Sequence, residues 1–258
     1  MDKETAHKLN EATSEFYAAN AESFSSTRVR PWDGWAKVLE YVAPLAERAS
    51  KEHRVLRVLD IGCGNLRFEK LLTETFPGQR FDFYTVDNCP ELAQNFAQEA
   101  KVRYQQLDVI ECLETGTLAA RLDAPPCDLV AAFGFMHHIP LVAWRKDLLN
   151  VLIERTAPEG INALAFWQFA NSEKLAAKAA ETTRLGCGKL GITLDQTAGD
   201  YLLGWQGGTE RFRYCHSFAD DEIANFERFA ASKGATPRAS FSADGPDGKS
   251  NRYLILHV

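Results

Sequence analysis

Three acids and a pair of glycines stand where a binding site for a small polar molecule could form. Asp60-Ile61-Gly62-Cys63-Gly64 closes an apolar run that contains Val55, Leu56, Val58 and Leu59. Two glycines one residue apart let the backbone turn sharply and approach a ligand without Cβ interference. A helix starting near Arg67 would then present free N–H groups and the positive end of its dipole to that ligand. Asp87-Asn88 ends a second run, 27 residues after Asp60, and a carboxylate there could accept from both hydroxyls of a ribose. Asp108-Val109 ends a third, where an acid and an apolar neighbour could hold the amino edge and ring face of an adenine. Any one of these acids could be a helix cap or a turn former. Three in successive register describe a site.

The elements that must position them alternate. Strands are predicted at 54–60, 80–87, 102–107, 127–133 and 161–168, with helical segments near 66–75, 90–98, 114–122 and 141–155 between them. Alternation of this kind implies right-handed crossovers and a parallel sheet covered on both faces, with ligands at the carboxyl ends of the strands. The fold class is therefore α/β: a Rossmann-like, doubly wound, mostly parallel sheet. Two N-terminal helices precede it as a cap over 1–50, separated by an irregular stretch, Phe24 to Trp32, in which Pro31 holds Arg30 extended. A C-terminal antiparallel hairpin completes it, with strands near 236–243 and 251–258 joined by Asp244-Gly245-Pro246-Asp247-Gly248. After the fifth strand comes a lid-like insertion over 171–210. Its alanine-rich first part reads as a helix ending at Gly186-Cys187-Gly188.

Composition bounds the rest. The 258 residues, 45% hydrophobic and 25% charged, suit one soluble α/β domain. No apolar run is long enough to span a bilayer, and the N-terminus lacks a signal-peptide core, so a cytoplasmic protein is expected. The cysteines at 63, 89, 112, 127, 187 and 215 form no CxxC pair, which fits reduced thiols. A formal charge of −6 argues mildly against non-specific binding to polyanions. His137 and His138 are adjacent, and no third ligand is spaced near them, so no metal site is expected. General-base, substrate-orienting and loop-packing roles remain open for this pair.

Over 54–170 the chain resembles the class I S-adenosylmethionine-dependent methyltransferases. The resemblance assigns S-adenosylmethionine as cofactor. It places Tyr17, Arg28, Asp60, Gly62, Cys63, Gly64, Asp87, Asn88, Asp108, Val109 and Phe133 against it, and puts Asp128 to His138 in the motif after the fourth strand. Leu66 departs from the third glycine common in such enzymes, and Leu66 with Phe68 also disfavours a dinucleotide pyrophosphate. Further stretches narrow the likeness. Phe16-Tyr17, Phe24-Ser25-Ser26-Thr27-Arg28 to Trp32, Gly199 to Trp205, Arg213-Tyr214-Cys215-His216 and Asn251-Arg252-Tyr253 are similar to the tRNA wobble-uridine methyltransferases, which esterify the carboxylate of 5-carboxymethyluridine. A carboxylate acceptor is ionised at neutral pH and needs positioning rather than a base. The expected catalytic residues are Arg28, His137 and Arg213. Arg30, Trp32, His138, Trp205, His216, Asn251 and Arg252 are expected to contact substrate, the arginines clamping and the tryptophans stacking. The acceptor is read as a tRNA, with a small metabolite or natural product as the alternative, and an activating protein partner is implied by eukaryotic relatives. A non-catalytic cofactor-binding module is the third reading.

Overall fold

The run ending at the glycine turn forms β1 (Leu56–Ile61), in which every residue except Arg57 is buried. A strand covered on both faces belongs at the centre of a sheet. In the computed structural model, which describes residues 1–93 and 102–258, β1 lies between β2 (Phe81–Asp87) and β4 (Cys127–Ala132), parallel to both. Beyond them lie β3 (Val102–Gln106) on one side and β5 (Thr156–Trp167) on the other. The antiparallel strands β8 (Thr236–Ala243) and β9 (Asn251–His257) complete the order β3-β2-β1-β4-β5-β9-β8. The chain winds outward from β1 to β3, then crosses back to β4. The switch point therefore falls between β1 and β4, beside the glycine turn.

Side-chain alternation along the strands divides the core in two. Leu56, Val58, Leu129 and Ala131 face α2 (Asp33–Lys51) and α3 (Arg67–Thr75). Leu59, Ile61, Val130 and Ala132 face α5 (Val109–Glu114), α7 (Val142–Glu154) and α9 (Asp220–Ser232). Short helices α4 (Pro90–Ala93) and α6 (Leu118–Arg121) fill connections. Outside these layers stands a ribbon of β6 (Asp200–Leu203) and β7 (Arg213–His216), packed between α1 (Lys3–Ser26) and α8 (Glu173–Leu190). Among the described residues no helix is long and apolar enough to cross a membrane.

Several boundaries differ from the expected ones. Helix α1 runs on to Ser26, which shortens the irregular linker. The segment 114–122 divides into α5 and α6 because Gly116 adopts a left-handed conformation, φ 67°. Part of the helix expected near 90–98 lies outside the described residues. Helix α9 had no counterpart in the sequence reading, although Phe226 and Ala230 pack directly on the sheet. The insertion helix does not stop at Gly186-Cys187-Gly188 but continues to a left-handed Gly191. The reason is steric. A Cβ on Gly186 would lie 2.8 Å from Leu202 Cδ1 and 3.1 Å from the Phe212 ring, so this glycine lets α8 close onto the β6–β7 ribbon.

Gly188, one turn position on, has open space around it and an ordinary helical backbone. Gly188→Ala is expected to raise stability by about 0.5–1 kcal/mol, through helix propensity alone. Gly186→Ala is expected to lower it by about 1–3 kcal/mol, through overpacking. Urea denaturation of the two variants checks both signs.

Candidate active site

Gly62 and Gly64 take left-handed conformations, φ 74° and 53°, and the turn is fastened to the end of β2. The N–H groups of Gly62 and Cys63 donate to the Val86 carbonyl at 2.8 and 3.2 Å. Gly64 N–H donates to Asp87 Oδ2 at 3.0 Å, and Cys89 N–H to Asp87 Oδ1 at 2.9 Å. Burial holds the Asp87 carboxyl above its ordinary range, against the pull of these N–H donors. Leu66 takes the left-handed conformation a third glycine would have supplied, φ 60°, at a cost of about 1–2 kcal/mol. Its fully buried side chain packs with Cys63 and Ala93, and burial of that size offsets about 1.5–3 kcal/mol.

A cavity of about 400 Å³ opens on this turn. The carboxyl ends of β1, β2, β4 and β5 supply Asp60, Asp87, Phe133 and Trp167. Because β9 runs the other way, its first residue, Asn251, reaches the same edge. Helix α1 contributes Asn10, Thr13 and Tyr17. The linker after α1 contributes Arg28 and Trp32, and it is pinned from below. Asn65 Nδ2 donates to the Arg28 carbonyl at 2.9 Å, and Arg67 Nη1 to the Arg30 carbonyl at 2.6 Å.

One end of the cavity is cationic. Arg213 is buried, yet its Nε has no acceptor, and Nη1 donates to Tyr17 Oη at 3.1 Å. Arg28 lies 3.4 Å above the Phe24 ring, and the Arg213 guanidinium lies 5.2 Å from the same ring. Burial, with the nearby charge of Arg213, pushes Arg28 down to about 10. Two guanidiniums thus share one apolar pocket, and among the described residues neither is paired with a carboxylate.

Burial and nearby positive charge hold the histidines beside them toward the neutral form. His138 Nδ1 lies 2.7 Å from the Tyr214 carbonyl, which can only accept, so Nδ1 carries the proton. Its Nε2 therefore accepts from Tyr17 Oη at 2.9 Å, which leaves His138 no free lone pair. Burial and Arg213 push His138 down to about 3. His137 is held well below its usual range by burial first, then by His138 and Arg213. Its Nδ1 has no partner, so His137 is the ring of the pair with a free nitrogen. The expectation that no third metal ligand lies near was incorrect: the fold brings Cys215 Sγ within 4.8 Å of ligand atoms on both rings. However, both His138 nitrogens are engaged, and Arg213 repels a cation.

Of the expected site residues, Tyr17, Arg28, Trp32, Asp60, Gly62, Cys63, Gly64, Asp87, Asn88, Phe133, His137, His138, Arg213 and Asn251 line this one cavity. The others do not. Asp108 caps α5 and binds Asn10 Nδ2 at 2.9 Å, so it reaches the cavity only through Asn10. Val109 packs into the core, and Ile110 takes the wall position instead. Arg30 is exposed on the linker. Arg252 alternates away from Asn251 and donates to Ser242 Oγ at 3.3 Å. Trp205 donates from Nε1 to Ser23 Oγ at 3.0 Å and backs Phe24 from outside. His216 bridges Asp200 and Glu222 at 3.0 and 2.7 Å, within a network that includes buried Arg145. Asp128 sits at the opposite end of β4, paired with Arg54 at 2.8 Å. The sequence reading missed Asn10, Asn65, Arg67, Trp35 and Trp167. Asn65 and Arg67 could have been found, because they directly follow the turn.

No protein-family model matches the chain, and no curated protein matches it in sequence. Solved structures do. It is similar to the CcbJ methyltransferase of Streptomyces caelestis, with a TM-score of 0.58 and 14% identity over 95% of this chain and 97% of that one. A 1,6-didemethyltoxoflavin-N1-methyltransferase from Burkholderia thailandensis, solved with 1,6-didemethyltoxoflavin and S-adenosylhomocysteine bound, gives 0.54 and 16% over 98% and 89%. An S-adenosylmethionine-dependent methyltransferase from Methanosarcina mazei gives 0.55 and 14% over 79% and 92%. At such identities the likeness is one of fold, and the chain has the fold of S-adenosylmethionine-dependent methyltransferases.

The tautomer assigned to His138 is open to direct measurement. Nitrogen-15 NMR of the imidazoles is expected to show His138 neutral, with the proton on Nδ1, at pH 6. A charged ring at that pH would contradict the chain Arg213–Tyr17–His138 as drawn.

Proposed function

We propose that this protein is an S-adenosylmethionine-dependent methyltransferase whose acceptor is an anion, a carboxylate in the first instance, placed between Arg28 and Arg213. The observation that carries it is the sharing of one cavity by the Gly62–Gly64 turn with Asp87 and by two guanidiniums that, among the described residues, are paired with no carboxylate. In this reading Asp87 holds the ribose hydroxyls, Asn10 and Ile110 face the adenine, and the turn accommodates the methionine portion. The cofactor supplies an electrophilic methyl group. Arg28 and Arg213 fix the acceptor in line with it, at small cost in reorganisation. An ionised carboxylate needs no base, and the neutral His137 with its free Nδ1 would serve only a hydroxyl or amine acceptor.

The source of the carboxylate separates two readings. A small-molecule acid is favoured by the burial of Arg213, the modest cavity and the net charge of −6. His216, Arg252 and Trp205, three residues on which the RNA expectation leaned, lie off the cavity. A carboxymethylated wobble uridine of tRNA is the second reading, favoured by the exposed Arg30 beside the cavity-lining Arg28 and Trp32.

Methyl-tritiated S-adenosylmethionine, incubated with bulk tRNA and separately with a metabolite extract from a strain lacking the gene, distinguishes them. Label is expected in base-labile esters of the metabolite fraction. Label in RNA nucleosides would instead support the tRNA reading, and label in neither would count against a carboxylate acceptor. In the same assay Arg213→Met should lose about 100-fold or more in turnover while still binding cofactor. Asp87→Ala should weaken cofactor binding by about tenfold or more.

A further inference from the structure

Glu69 has no task in the reading above. It lies in the first turn of α3, wholly buried, and among the described residues neither carboxylate oxygen has a hydrogen-bond partner. Asp60, at the end of β1, is 3% exposed and lines the cavity, and its Oδ1 is also without a partner. The groups that face this pair are Asp87 at the end of β2 and Cys63 of the turn, with the unpartnered Thr85 hydroxyl nearby. No cationic side chain among the described residues neutralises either acid. Burial raises both carboxyls, Glu69 to about 7, and the proximity of Glu69 raises Asp60 further. Two adjoining carboxyls in apolar surroundings do not both ionise readily, so one shared proton supplies the missing donor.

We propose that Asp60 and Glu69 form a proton-sharing pair that receives the ammonium end of the cofactor's amino acid, with Glu69 a positioning residue acting through Asp60. The inference rests on the cofactor reading above. On binding, the ammonium brings the positive charge that this end of the cavity lacks, and the shared proton passes to the buffer. Nothing else is consumed. The direction of the pH dependence follows. At pH values where the free pair holds its proton, binding must expel it, and affinity falls by up to about tenfold for each pH unit lower. Above that range the pair is already open to the ammonium and affinity levels off.

The probe is S-adenosylhomocysteine, which keeps the ammonium. The control is 5′-methylthioadenosine, which lacks it. Calorimetric titrations at pH 6.5, in two buffers of different ionisation enthalpy, count the protons released. About one proton is expected with S-adenosylhomocysteine and none with the control. Glu69→Gln, which removes the second acid and leaves Asp60 buried, should lower the proton release at pH 6.5 well below that of the parent and weaken S-adenosylhomocysteine binding at pH 8. Binding by the parent protein without proton release overturns the inference and leaves the cofactor reading intact. The same release from Glu69→Gln overturns the part given to Glu69. No binding of either compound overturns the cofactor reading itself. If the glutamine variant does not fold, the two compounds on the parent protein still decide.

Discussion

The contact on which most of this molecule depends is the Asp87 carboxylate accepting N–H groups from Gly64 and Cys89. It ties the turn after β1 to the turn after β2, so the two halves of the cavity floor are set by one side chain. With Val86 O accepting from Gly62 and Cys63, the glycine turn is fixed before any ligand arrives. Asn65 carries that order upward. Its amide holds the Arg28 carbonyl, and so the turn that forms one end of the cavity also positions the cationic residue at the other. A site held by backbone and packed side chains does not have to be organised during binding.

The cavity is electrically polar as a result. Asp60 and Asp87 lie at the turn, with Glu69 of α3 buried beside Asp60, whereas Arg28 and Arg213 lie under α1 near two histidines held toward the neutral form. Tyr17 keeps these parts in register by accepting from Arg213 and donating to His138. Among the described residues neither end is matched by a side chain of opposite charge. This supports a donor with a cationic head and an acceptor with an anionic one.

Much of the floor was legible in the sequence, because a strand, a glycine turn and a strand-end acid are local patterns. Gly62, Gly64 and Asp87 are found from spacing alone. The roof was harder, since its residues come from segments whose faces depend on distant partners. Alternation along β7 sends Arg213 and Cys215 to one side, and Tyr214 and His216 to the other, where Asp200 and Glu222 enclose the histidine. The same rule separates Asn251 from Arg252 on β9. A motif that names neighbouring residues together cannot tell which of them faces the ligand; a strand assignment for 213–216 would have. Leu66 is a different case. The sequence marked it as irregular, and only its packing explains how a left-handed leucine is tolerated there.

In the proposed reading one cavity joins a nucleoside-bearing donor at Asp87 to an acceptor site at Arg28 and Arg213. A crystal structure with S-adenosylhomocysteine tests it most directly. Both ribose hydroxyls are expected on Asp87, with the sulfur facing the space between Phe133, His137 and Arg213. Density for the ligand elsewhere, or a sulfur directed away from the two arginines, would contradict it.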